Sequence, residues 1–105
     1  MKTRFTAAAE LELDEAFAFY EQRGPGLGRE FLLEVASAVA LIEEFPQAWP
    51  AVTDVDRACR VKRFPYRLVY FIDDGGIVVL AVAHFKRRLF YWRDRVRTCT
   101  GRQRS

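Results

Sequence analysis

Histidine is nearly missing from this chain, with His84 the only one in 105 residues, and cysteine occurs twice, at Cys59 and Cys99, with no CxxC spacing. Ligands so few and so far apart exclude the common zinc patterns, and no metal or other cofactor is expected. General acid–base work by a histidine pair is excluded too. His84 reads as a hydrogen-bonded imidazole at the end of a buried strand. Two isolated cysteines read as free thiols in a reducing compartment rather than as a bridge. Long hydrophobic runs are also absent: the longest, Ile77–Ala83, is far short of the ~20 residues a membrane-spanning helix needs. The N-terminus shows no apolar stretch like that of a signal peptide. The expectation is a cytoplasmic chain with no membrane partner.

What is present suffices for a fold. Half of the residues are hydrophobic and 30% are charged, which gives the chain enough apolar surface to offset its ordering entropy. The length allows one two-layer domain, placed at residues 1–98, with residues 99–105 as a disordered tail. Charge is divided unevenly. Residues 1–50 carry four Lys and Arg against nine Asp and Glu, a net of −5, whereas residues 51–105 carry thirteen against five, a net of +8. A basic half of this size attracts phosphates or an acidic protein segment, and sequence does not choose between the two.

Periodicity then divides the chain into elements. "MKTRF" reads as extended. Thr6 is a candidate N-cap, with Glu10 and Glu12 near the positive end of the helix dipole. Ala9, Leu13, Ala16, Phe17 and Tyr20 recur at helical spacing, until "RGPGLG" breaks the helix. That glycine cluster lacks the Lys-Ser/Thr pair of a phosphate-binding loop. Phe31, Val35, Ala38, Ile42 and Phe45, widened by Leu32 and Val39, form a second helical stripe, which Pro46 stops. Beyond "PQAWPAVTD" the period becomes that of strands, in "RACRVKRF", "YRLVYFI" and "IVVLAVA". Asp74-Gly75 makes a hairpin turn between the last two. The apolar "IVVLAVA" reads as a central strand buried on both faces. The order β-α-α-β-β-β predicts an α+β domain in which an N-terminal strand and a helical hairpin pack on a small antiparallel sheet.

Together, this order, the "FPYRLVYFI" strand, the "VVLAVAH" strand and its sequel "KRRLFYWRDR" resemble the RelE/ParE superfamily of bacterial type II toxin–antitoxin toxins. The segment "GLGREFLLEV…IEEFPQAWPAV" is similar to the ParE-like branch, as is the Tyr91-Trp92 pairing. The ParE-like resemblance implies a growth-inhibiting toxin that binds DNA gyrase without being an enzyme. It also implies neutralisation by a cognate antitoxin with an acidic, partly disordered C-terminal segment, in a complex that can be of higher order. The superfamily's other branch implies a metal-independent endoribonuclease acting on ribosome-bound messenger RNA. In that case Arg67 and Arg87 would hold phosphate and Tyr91 would carry the proton, with Arg60 and Lys62 as a supporting basic pair. The stretch Arg87–Tyr91 is shorter than in the ribonuclease branch, which favours the binding toxin. An inactive antitoxin-binding module is the third reading.

For binding, of target or antitoxin, the candidates are Arg60, Lys62, Phe85, Lys86, Arg88, Leu89, Phe90, Trp92, Arg93 and Arg95. Rings this large and this many are expected to be covered by a partner on so small a domain. Blander readings stand beside these. Arg67 could pair with Asp54 or Asp56, Tyr91 and Trp92 could latch the sheet edge, and the alternation around Arg93, Arg95 and Arg97 fits a frayed tail or a partner-binding strand.

Overall fold

The computed structural model describes residues 2–88, 90–95 and 97. The proposed tail, 99–105, lies outside the described residues, as do Leu89 and Cys99. Strand β1 (Lys2–Phe5) leads into helix α1 (Ala7–Arg23), which is followed by α2 (Leu27–Glu44), β2 (Asp56–Val61), β3 (Tyr66–Asp73) and β4 (Gly76–His84). This is the order read from the sequence. Thr6 caps α1 as expected, its hydroxyl accepting the Ala9 N–H at 3.2 Å. The turn between β3 and β4 places Asp74 and Gly75 at φ of 37° and 77°, which those two residue types tolerate best.

The sheet runs β1-β4-β3-β2. β2, β3 and β4 are antiparallel, whereas β1 lies parallel to β4, with Phe5 opposite Val79, so the sheet is mixed rather than wholly antiparallel. The helical hairpin is what makes that possible, since it carries the chain back across the sheet before the remaining strands are laid down. β4 is an interior strand, buried from Gly76 to Ala83.

Both faces of the sheet are covered. On one, the two helices enclose Phe31, Ile42, Leu68, Tyr70, Val79 and Val82, each fully or almost fully buried. Burial of each such large side chain contributes about 1.5–3 kcal/mol. The helix stripes behave as their spacing predicts except on α2, where Leu32, expected to widen the stripe, is exposed, and where Phe45 is the C-cap and stands exposed. The helices approach closely at Gly28, where a Cβ would sit 2.8 Å from both the ring and the carbonyl oxygen of Phe17. Nearby, Glu21 accepts the N–H groups of Gly26 and Gly28 at 3.0 Å, so a carboxylate already occupies the N-terminus of α2 where a phosphate loop would need it open. On the other face the segment after β4 folds back over Val69, Leu80, Ala81 and Ala83.

Candidate partner-binding site

The segment following β4 turns repeatedly instead of extending. Phe85 N–H bonds to Pro65 O at 2.9 Å and Arg87 N–H to His84 O at 3.0 Å. The N–H groups of Tyr91, Arg93 and Arg95 each bond to a carbonyl three residues back. His84 ends β4 half-buried, its Nδ1 accepting the Lys86 N–H at 3.0 Å, the structural role foreseen for it. Phe90 sits at φ 61°, a left-handed conformation that a bulky residue adopts only when its surroundings hold it there. Packing against Trp92 and the Arg93 guanidinium at 4.8 Å provides that constraint.

Two buried carboxylates fasten this segment. The side chain of Glu12, only 10% exposed, receives Arg95 at 2.9 and 2.7 Å, the Tyr91 hydroxyl at 2.7 Å and the Val82 N–H at 2.9 Å, and Arg87 approaches to 3.8 Å. Asp56, 1% exposed, takes Arg97 in a second two-pronged pair at 2.6 and 2.9 Å. Burial pushes the Asp56 carboxyl upward, but the hydrogen bonds and charge of Arg97, helped by Thr53, outweigh it and hold the group below its ordinary range. Burial raises the Tyr91 phenol well above its ordinary value, and the hydrogen bond it donates to Glu12 raises it further.

The expected residues separate into groups. Trp92 is 3% exposed and belongs to the inner packing over Val69 and Leu80, so its ring is not part of the outward surface. With Tyr91 it covers the face of the central strands, which corrects the idea of a latch at the sheet edge. Arg95 is committed to Glu12 and Leu80 O. Arg67 does not pair with Asp56, which Arg97 holds, but stacks on Phe85 at 4.8 Å beside Arg60 at 5.0 Å. Arg87 stacks on Tyr91 at 4.0 Å. Lys86, Arg88 and Arg93 are exposed. So is Lys62, on the rim of a narrow apolar groove of about 200 Å³ formed with Ala38, Leu41, Trp49 and Cys59. Leu89 lies outside the described residues.

Of the catalytic trio, Arg87 and Tyr91 are in contact, while Arg67 is engaged by Phe85 instead. Arg67 borders a hollow of about 280 Å³ with Pro50, Val52, Ala58, Arg60 and Phe85, whereas Arg87 borders another with Glu12, Glu15, Tyr66 and His84. Tyr91 lines neither. Sequence reasoning missed Glu12 as an anchor and named Asp56 only as a partner for Arg67, whereas Arg97 takes it. Glu12 did give a signal: it lies beside Leu13 on the stripe formed by Ala9, Leu13 and Ala16, and a carboxylate on the buried side of a helix demands a partner. Among the described residues no three His, Cys, Asp or Glu side chains gather as a metal would need, and no helix is long and apolar enough to cross a membrane.

Comparison with known proteins follows the same direction. Residues 3–89 match a family model described as the ParE toxin of the type II toxin–antitoxin system, parDE. A solved structure titled "Chromosomal ParDE TA system from P. aeruginosa" contains a chain that superposes with a TM-score of 0.70 at 17% identity, covering 80% of this chain and 95% of that one, which is a likeness of fold. No curated protein matches by sequence.

Proposed function

Because the chain belongs to the ParE toxin family of type II toxin–antitoxin systems, we propose that it arrests growth by binding its target rather than by cutting a substrate. The target implied by that family is DNA gyrase, and the cognate antitoxin of the system neutralises the toxin in the cytoplasm. The observation that carries this reading is the 2.7 Å hydrogen bond from Tyr91 to Glu12. A nuclease of the superfamily's other branch would need this phenol beside Arg67 and ready to give up its proton. Here burial and a carboxylate acceptor make the proton hard to remove, and Arg67 is stacked on Phe85 instead. Uncommitted cations remain at the surface, suited to binding.

Two assays test this. Induced alone, the chain should stop growth with filamentation and a DNA-damage response, and co-expression of its antitoxin should restore division. The refolded protein should inhibit supercoiling by purified gyrase while messenger RNA in a translating extract stays intact. Codon-linked cleavage of ribosome-bound messages would overturn the proposal.

A further inference from the structure

Arg60 of β2 and Arg67 of β3 stand directly opposite each other across the antiparallel ladder, an arrangement that like charges disfavour. Among the described residues neither is paired with a carboxylate, because the ion pairs formed there involve Arg63, Arg87, Arg95 and Arg97. Both instead stack on the ring of Phe85, at 5.0 and 4.8 Å, which gathers two guanidinium groups at one ring. Beside them lies the hollow of about 280 Å³, whose other walls are Pro50, Val52 and Ala58. Two convergent cations without a counter-charge next to an apolar recess describe half of an interface.

The missing half is an anion, and the nearby rings indicate which kind. Single-stranded RNA is held by phosphate contacts together with bases stacked on open aromatic faces. Here Phe85 is stacked by Arg60 and Arg67, Tyr91 by Arg87 and Arg95, and Phe90 by Arg93, while Trp92 is buried. A peptide carboxylate needs no such platform. Ala58 and Arg60 share one face of β2 two residues apart, the spacing at which an extended peptide repeats its own side chains.

We propose that Arg60, Arg67 and Phe85 form a subsite for an acidic peptide, with an Asp or Glu carboxylate lying across both guanidiniums and the apolar residue two positions away filling the hollow at Pro50, Val52 and Ala58. The assignment rests on the toxin reading above, in which the antitoxin supplies such a segment.

The test uses the full refolded chain and a fluorescein-labelled nonapeptide of the repeat Glu-Ser-Leu, read by anisotropy, with a Gln-Ser-Leu nonapeptide and a nine-nucleotide oligouridylate alongside. Arg60→Gln and Arg67→Gln should each weaken Glu-Ser-Leu binding by about tenfold or more, the scale of a lost charge-assisted contact. Arg29→Gln, an exposed cation on α2, should change it by less than about twofold. If Arg67→Gln fails to fold, Arg67→Lys keeps the charge without the fork and should still bind several-fold more weakly. Equal losses at Arg29 and Arg67, equal binding of the glutamine peptide, or tighter binding of oligouridylate would each overturn the subsite. Gyrase inhibition by the parent chain is measured in parallel. Peptide failure with inhibition intact defeats the subsite alone, and intact peptide binding without inhibition defeats the target reading alone.

Discussion

Glu12 on the first helix and Arg95 beyond the last strand, 83 positions apart, meet in a two-pronged ion pair at 2.9 and 2.7 Å. The pair joins the helical layer to the segment covering the opposite face of the sheet. Its side chains are 10% and 19% exposed, so it is shielded from solvent far better than Arg63 with Glu30, at 56% and 50%.

Glu12→Ala should therefore lower unfolding free energy by about 3 kcal/mol, because it leaves Arg95, the Tyr91 hydroxyl and the Val82 N–H without their acceptor. Glu30→Ala should cost under about 1 kcal/mol. Urea denaturation followed by tryptophan fluorescence, which reports on Trp49 and Trp92, checks both; equal losses would show that the pair is not a fastening point.

Asp56 makes part of the stability depend on acid. Its folded-state value is depressed below the ordinary 3.8, so its contribution is complete above about pH 5 and is lost as pH falls through the folded value. The stability gap between the parent and Asp56→Asn should shrink steadily between about pH 5 and pH 3. A gap constant with pH would mean that the Arg97 pair does not favour the charged carboxylate.

All four tyrosines, Tyr20, Tyr66, Tyr70 and Tyr91, are raised above the ordinary phenol, in each case first by burial. Tyr70 is pushed up to about 12, and its hydroxyl donates to Pro46 O at 2.7 Å. Their stabilising contribution is intact below about pH 10 and disappears as pH rises further, because the unfolded chain then releases protons that the folded one retains. Phenolate absorbance should appear in a steep step together with loss of circular dichroism. A gradual rise centred near pH 10 with the fold intact would contradict these environments.

Gly28→Ala should destabilise by about 1–3 kcal/mol, since a methyl group there meets the backbone oxygen of Phe17, which a rotamer change cannot move. Gly24→Ala, with open space around it, should fall within about 0.5 kcal/mol of the parent. Thermal melts of the two variants side by side would decide it.

Much of the architecture was legible because it is written in local periods. The stripe through Phe31, Val35, Ala38 and Ile42, the cap at Thr6, the turn at Asp74-Gly75 and the uninterrupted apolar run of β4 each follow from spacing or backbone preference, and each is found in the fold. The site was legible only as a composition. Its basic and aromatic residues were visible, but the sequence could not rank Trp92 below Phe85 in exposure, since both are large rings in one cationic stretch. Nor could it separate Arg95 and Arg97, which are neutralised, from Arg60 and Arg67, which lack described carboxylate partners.

By itself, then, the sequence determined the elements, their order and the excess of positive charge in the second half. Those follow from neighbours within a few residues and from counting. Only the tertiary structure decided that β1 lies parallel to β4, that the stretch from Phe90 to Trp92 folds over the sheet, and which cations Glu12 and Asp56 neutralise. A charge pair depends on where the chain returns in space and on how dry that place is, and neither is encoded in the spacing of the residues that form it.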